Sequence, residues 1–152
     1  MTKHILISYP EENLSAEAEL LENQAPETCR FIWEHLPIEG RTIHGKFSGN
    51  EVFVKVEPPT AIKWENLVTL PLPGEILYYY QAGGVYVDTP NAYAEVCIIY
   101  GRNVVLRGEG GVQVFASLFA RLTGDCTQLA EVCRQVRFEG PKHLRVTRLR
   151  DD

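Results

Sequence analysis

The stretch Ala25-Pro26-Glu27-Thr28-Cys29-Arg30-Phe31 decides how the chain is read, because it opens the first of only two amphipathic segments in an otherwise strand-like sequence. Pro26 suits a first helical position, where its missing N–H costs nothing. Cys29, Ile32, Trp33 and Leu36 then recur at i, i+3, i+4 and i+7, the stripe of a helix with one buried face, and Pro37 stops it. Upstream, His4 to Tyr9 reads as a strand, Pro10 to Asn13 as a turn and Leu14 to Leu20 as a second strand, with Leu14, Ala16, Ala18 and Leu20 on one face and Glu17 and Glu19 on the other. That is a hairpin.

Downstream the period stays at two. Thr42 to Val56 reads as strand, turn and strand, with Ser48-Gly49-Asn50 as turn chemistry and Val52, Val54 and Val56 facing inward. Pro58-Pro59 breaks the run, and Leu70-Pro71-Leu72-Pro73-Gly74 leads rigidly into a strand from Glu75 to Tyr80. Gly83-Gly84 turns a hairpin toward Val85 and Val87. Ala94 to Tyr100 is apolar enough for a central strand, and the glycine-rich Gly108-Glu109-Gly110-Gly111 precedes the segment Val112 to Leu122. A second helix starts with Asp125 as N-cap and Gln128 at N3, buries Leu129, Val132, Cys133 and Val136, and ends at Gly140-Pro141; Leu144 to Leu149 closes the chain as a strand. Many short strands with two short helices predict a mainly β fold, a β-barrel or strongly curved sheet capped by helices.

Composition bounds the rest. At 152 residues and 45% apolar content, residues 1–152 read as one domain able to bury about two thirds of its unfolded surface. The N-terminal apolar run is too short for a signal peptide, and none reaches the roughly 20 residues of a membrane helix, so a cytoplasmic protein is expected. Cys29, Cys97, Cys126 and Cys133 lack Cys-x-x-Cys spacing and read as buried thiols rather than disulfides or a zinc site. A net charge of −5 argues against nucleic acid, which needs a basic surface. Glutamates crowd the first quarter, and Arg134, Arg137, Lys142, Arg145, Arg148 and Arg150 the end. Solvated faces or an internal salt-bridge seam read ahead of complementary patches in a homo-oligomer.

The order of pieces carries a resemblance: the acidic hairpin, the Pro-x-Thr helix opening, Leu36-Pro37, the segment Thr42 to Phe53, Pro73 to Tyr79, Ile98-Ile99-Tyr100-Gly101-Arg102 and Phe119 to Gly124. Together they resemble an uncharacterised bacterial family of small cyclophilin-like proteins. The resemblance implies a closed or nearly closed cyclophilin-like barrel and brings no established activity with it. True cyclophilins carry a Phe-His-Arg motif whose arginine assists prolyl rotation; here Ile43-His44-Gly45-Lys46 has glycine in that place, which disfavours prolyl isomerisation. Lys46 or Arg102 would have to substitute for the missing cation, and lysine lacks arginine's planar fork.

Candidate site residues follow from position. His44 stands before the Ser48-Gly49 turn with Glu51 beyond it, a histidine, a hydroxyl and a carboxylate able to form a general base or a polar floor for a ligand; a half-buried strand histidine is the plainer alternative. Tyr79 must face away from Tyr78 and Tyr80, so one side of that strand gains a tyrosine wall with a polar handle. Tyr100 and Arg102 end a strand, where a guanidinium can clamp a carboxylate. Phe115, Phe119 and Trp33 read as core, Trp64 as surface. The histidines share no ligand spacing, so neither a metal nor a cofactor is expected. The expectation is a barrel whose concave face binds a small anionic or amide-containing ligand through His44, Ser48, Glu51, Tyr79, Tyr100 and Arg102. An amide-directed hydrolase or a subunit of one, and a homo-oligomeric interaction module, are the alternatives.

Overall fold

A computed structural model describes residues 2–85 and 90–149. Strands β1 (His4–Tyr9), β2 (Leu14–Leu20), β3 (Ile38–His44), β4 (Glu51–Lys55), β5 (Leu67–Val68), β6 (Glu75–Gln81), β7 (Tyr93–Ile99), β8 (Ala116–Leu122) and β9 (Lys142–Arg148) join helices α1 (Pro26–His35) and α2 (Thr127–Glu139). All pairings among the strands are antiparallel. The order β2-β1-β9-β3-β4-β7-β6-β8 closes on itself through β2 against β8, and the two-residue β5 adds to β8. Closure leaves the eight barrel strands no free edge, so every ladder is satisfied within the protein. No helix among the described residues is long and apolar enough to cross a membrane.

Alternation along the strands sorts the side chains into two sets. One set comes from all eight barrel strands: Ile5, Ile7, Ala18, Leu20, Ile38, Val52, Val54, Ile76, Tyr78, Val96, Ile98, Phe119, Leu144 and Val146 form one buried cluster with Cys29 and Ile32 of α1 and Leu129, Cys133 and Val136 of α2. A set shared by every strand is the barrel interior, and the helices plug it. The other set is confined to β4, β6, β7 and β8, where Leu77, Cys97, Ile99, Ala116 and Leu118 pack against Leu21, Val104 and Leu106. It is the outer face of those strands, covered by loop residues. A bulge between Ile76 and Leu77 and the facing β8 pairs Leu77 with Leu118 and Ile76 with Ala120. It leaves Phe119 as the extra residue, fully buried inside.

Several expectations need correction. The N-cap position of α2 is Cys126 rather than Asp125; Asp125 Oδ1 instead accepts from the Thr127 N–H at 2.9 Å and its hydroxyl at 2.6 Å. The first turn of α1 is satisfied from a distance, because Glu65 Oε1 accepts from the Thr28 N–H at 2.6 Å and the Thr28 hydroxyl at 2.9 Å. Phe115, expected in the core, is exposed one residue before β8, whereas Phe119 is buried and Trp64 exposed as read. Val87, placed in a hairpin by the sequence, lies outside the described residues. The acidic start and basic end meet: Lys142 Nζ lies 3.2 Å from Glu12 and 2.8 Å from Glu139, and Arg145 Nε 2.5 Å from Glu39. That is the internal seam of the charge pattern.

Candidate functional site

The outer face of β4, β7 and β6 is concave and carries a cavity of about 470 Å³, within the usual range for small-molecule sites. Strand register sets its floor. Lys55 of β4, Glu95 of β7 and Tyr79 of β6 lie opposite one another in one row, and Phe53, Cys97 and Leu77 in the next. Glu51 begins β4 opposite Ile99. The Gly45–Ser48 turn, Leu106 to Glu109, Val114 and Ala116 supply the remaining walls.

Of the three carboxyls that line this largely apolar surface, Glu109 is exposed and Glu51 and Glu95 are buried. Glu95 is held on each oxygen: the Tyr93 hydroxyl donates to Oε2, and the Cys97 thiol donates to Oε1 at 3.1 Å. Glu51 differs. Its Oε2 is buried without a hydrogen-bond partner among the described residues. Burial first, and then the Glu95 charge, push the Glu51 carboxyl up to about 8 against an opposing hydrogen bond from Ser48. Burial likewise raises Glu95, opposed by its bonds from Tyr93 and Cys97. Two donors on Glu95 favour its ionised form, and an orphan oxygen on Glu51 favours the acid, so of the two Glu51 is the stronger holder of a shared proton.

Local sequence makes room for this arrangement. A Cβ on Gly45 would stand 2.5 Å from Glu51 Cγ and 2.7 Å from Oε1, so a side chain there would displace the carboxyl. Glu51 thus packs into the space that Gly45 leaves open. Ser48 ties the turn to the opposite wall, its hydroxyl accepting from the Arg107 N–H at 2.9 Å. Cations ring the cavity: Lys46 is exposed, Lys55 Nζ lies 2.8 Å from Glu57 and 6.0 Å from the Tyr93 ring centroid, and Arg107 Nη1 donates to the Gly111 carbonyl at 3.4 Å.

Of the residues selected from sequence, Ser48, Glu51 and Tyr79 line this cavity; His44, Tyr100 and Arg102 do not. His44 pairs with Val52, whose side chain faces the interior, so parity turns the histidine away from Glu51. His44 Nδ1 donates to the Gly45 carbonyl at 2.8 Å, leaving Nε2 to accept from the Tyr100 hydroxyl at 2.6 Å. Tyr100 lines a smaller hollow beside α2, with Gly74, Leu122 and Leu129. Arg102 is exposed in the turn after β7, and its carbonyl accepts from Asn50 Nδ2 at 3.0 Å. Sequence reading missed Lys55, Tyr93, Glu95, Cys97 and Arg107. The available signal was Glu95, a carboxylate inside a strand apolar enough to be buried on both faces.

No histidine, cysteine or acidic cluster among the described residues is grouped to hold a metal ion. No curated protein matches the chain. Two solved structures share its fold: McbB in complex with tryptophan, at TM-score 0.66 and 15% identity over 97% of this chain, and the hypothetical protein AF2241 from Archaeoglobus fulgidus, at TM-score 0.59 and 19% identity over 97%. The chain spans 45% of the length of McbB and 95% of the archaeal protein. Residues 7–148 match the family described as Protein of unknown function (DUF3830), and the chain belongs to that family.

Proposed function

We infer that this protein is a cyclophilin-like barrel that binds a small ligand bearing a carboxylate and an amide or similar carbonyl group in the cavity on its outer face. The observation that carries the reading is the buried Glu51 carboxyl, which lines a largely apolar cavity ringed by Lys46, Lys55 and Arg107 and has one oxygen without a hydrogen-bond partner among the described residues. Leaving such a group unpaired costs about 1 to 3 kcal/mol, a cost a ligand can recover. A protonated carboxyl donates through one oxygen and accepts through the other, which complements an amide's C=O and N–H. The cations at the rim suit the anionic end of the same molecule. McbB was solved with tryptophan, an amino acid with a carboxylate, and that supports a small organic acid as occupant.

Pyroglutamate, a lactam carrying a carboxylate, tests the reading. Titrated into isotope-labelled protein, it should shift the backbone amides of Lys55, Glu95 and Arg107 saturably, and Arg107→Ala should weaken binding about tenfold, the loss of one charge-assisted hydrogen bond. Shifts scattered over the surface, or unaltered by Arg107→Ala, would refute it.

A further inference from the structure

Resting on that ligand site, we propose that the cavity catalyses proton transfer on a small carbonyl compound, with Glu51 carrying the proton and Glu95 as a positioning residue. The fold does not need either carboxyl. The barrel interior packs apolar side chains from all eight strands without either carboxyl, and two acidic groups on its outer wall cost desolvation that packing does not return. The difference between the two is what a proton carrier requires. Glu95 is pinned by Tyr93 and Cys97; Glu51 keeps one oxygen without a hydrogen-bond partner among the described residues.

The step balances without a second reactant. Ionised Glu51 takes a proton through its carboxylate from the carbon next to the carbonyl, and the C–H electron pair becomes the C=C bond of an enolate as the carbonyl π pair moves to oxygen. Glu51, now the acid, returns that proton to carbon or to oxygen, and the carboxylate is restored. Burial and the Glu95 charge push Glu51 up to about 8, so both of its forms are populated near neutral pH, where general acid–base catalysis is most effective. The cations that ring the cavity, Lys46, Lys55 and Arg107, offset the charge that develops on the enolate oxygen.

Other groups also set the charge balance around Glu51. Glu95, Tyr93 and Cys97 face it from β7, Lys55 from β4 and Tyr79 from β6. Lys46 comes from the turn before β4, and Arg107 and Glu109 from the loop before β8. Of these, the Glu95 charge is the named cause, after burial, of the high proton affinity. Removing it must therefore move the pH profile.

Two probes test the proposal. Nitrobenzisoxazole opens when a base removes its carbon-bound proton as the N–O bond breaks, and so reports a competent carboxylate whatever the natural substrate. Pyruvate in heavy water reports exchange at its methyl carbon by proton NMR. Wild type should accelerate both, with a rate rising as pH passes about 8. Glu51→Gln should lose about 100-fold or more. Glu95→Gln should retain turnover with its midpoint moved to lower pH, which a purely structural role would not do; should Glu51→Gln fail to fold, this shift decides. Equal rates in wild type and Glu51→Gln, or an unmoved midpoint in Glu95→Gln, would overturn proton transfer alone. Failure of wild type to bind pyroglutamate would overturn the ligand site itself.

Discussion

The two faces of strands β4, β7 and β6 carry opposite assignments. Val52, Val54, Val96, Ile98, Ile76 and Tyr78 face the interior and are buried among apolar neighbours. Their sequence neighbours Glu51, Lys55, Glu95 and Tyr79 face the cavity. One residue of displacement along a strand separates a packing position from a chemical one, because side chains alternate with a period of two. The interior tolerates a polar group only when it is satisfied, as with the Tyr9 hydroxyl, which donates to Thr42 Oγ1 at 3.3 Å. The outer face keeps one Glu51 oxygen without a partner among the described residues. Apolar packing is concentrated on one side of the sheet and the buried carboxyls on the other.

The largest test of this division is pH. Glu51 has an ordinary carboxyl value of 4.5 when unfolded and about 8 when folded, so the native state binds the extra proton between those values. Its contribution is fully present below about pH 4.5 and is lost as pH rises through about 8, on the order of 5 kcal/mol at 1.36 kcal/mol per unit. Urea unfolding across pH 5 to 9 should show that decline, and Glu51→Gln should flatten it. A decline as steep in the variant as in wild type would place the proton elsewhere.

On the interior side, Phe119→Ala should cost about 3 to 5 kcal/mol in the same unfolding assay, since a fully buried ring leaves a cavity behind. A cost below about 1 kcal/mol would mean that the bulge absorbs the loss. The thiols give a smaller contrast. Cys29 donates to the Phe119 carbonyl at 3.3 Å, and burial pushes both Cys29 and Cys133 up to about 12. Cys29→Ser should cost about 1 to 3 kcal/mol. Cys126 is half-buried, so it should be the first thiol labelled in the native protein; earlier labelling of Cys29 or Cys133 would contradict their burial.

Much of the fold was legible because its signals are local. The β1–β2 hairpin spans the residues that its alternation marks, and Pro26 opens α1 where proline suits a first turn. The site was legible only in part, because it depends on register. Placing Val52 inward already puts Glu51 outward, but that His44 lies opposite Val52 is a pairing between strands that no single strand reveals. Glu95 went unread inside an apolar strand, because its partners Tyr93 and Cys97 stand on the same strand at i−2 and i+2, a ladder that makes sense only once that face is known to bear a cavity. Phe115 was misread for a related reason: the strand begins one residue later, and the apolar run before it covers the loop rather than the core.

The smallest expected effect separates position on the strand from position in space. Arg102 follows β7 by sequence and looked suited to clamping a carboxylate, yet it is exposed in a turn whose carbonyl, rather than its guanidinium, makes the recorded contact with Asn50. Arg107, five residues on, lines the cavity, and its N–H is tied to Ser48. Arg102→Ala should therefore change stability by less than about 0.5 kcal/mol, as for a surface substitution, and leave pyroglutamate affinity within about twofold. The two arginine variants compared in one titration isolate the effect of placement, since each removes the same charge. If Arg102→Ala weakened binding as much as Arg107→Ala, long-range attraction by net charge would explain the cationic rim, and raising the ionic strength would abolish the effect of both. If only Arg107→Ala weakens it, the guanidinium acts at contact distance, and the outer face holds its ligand by geometry.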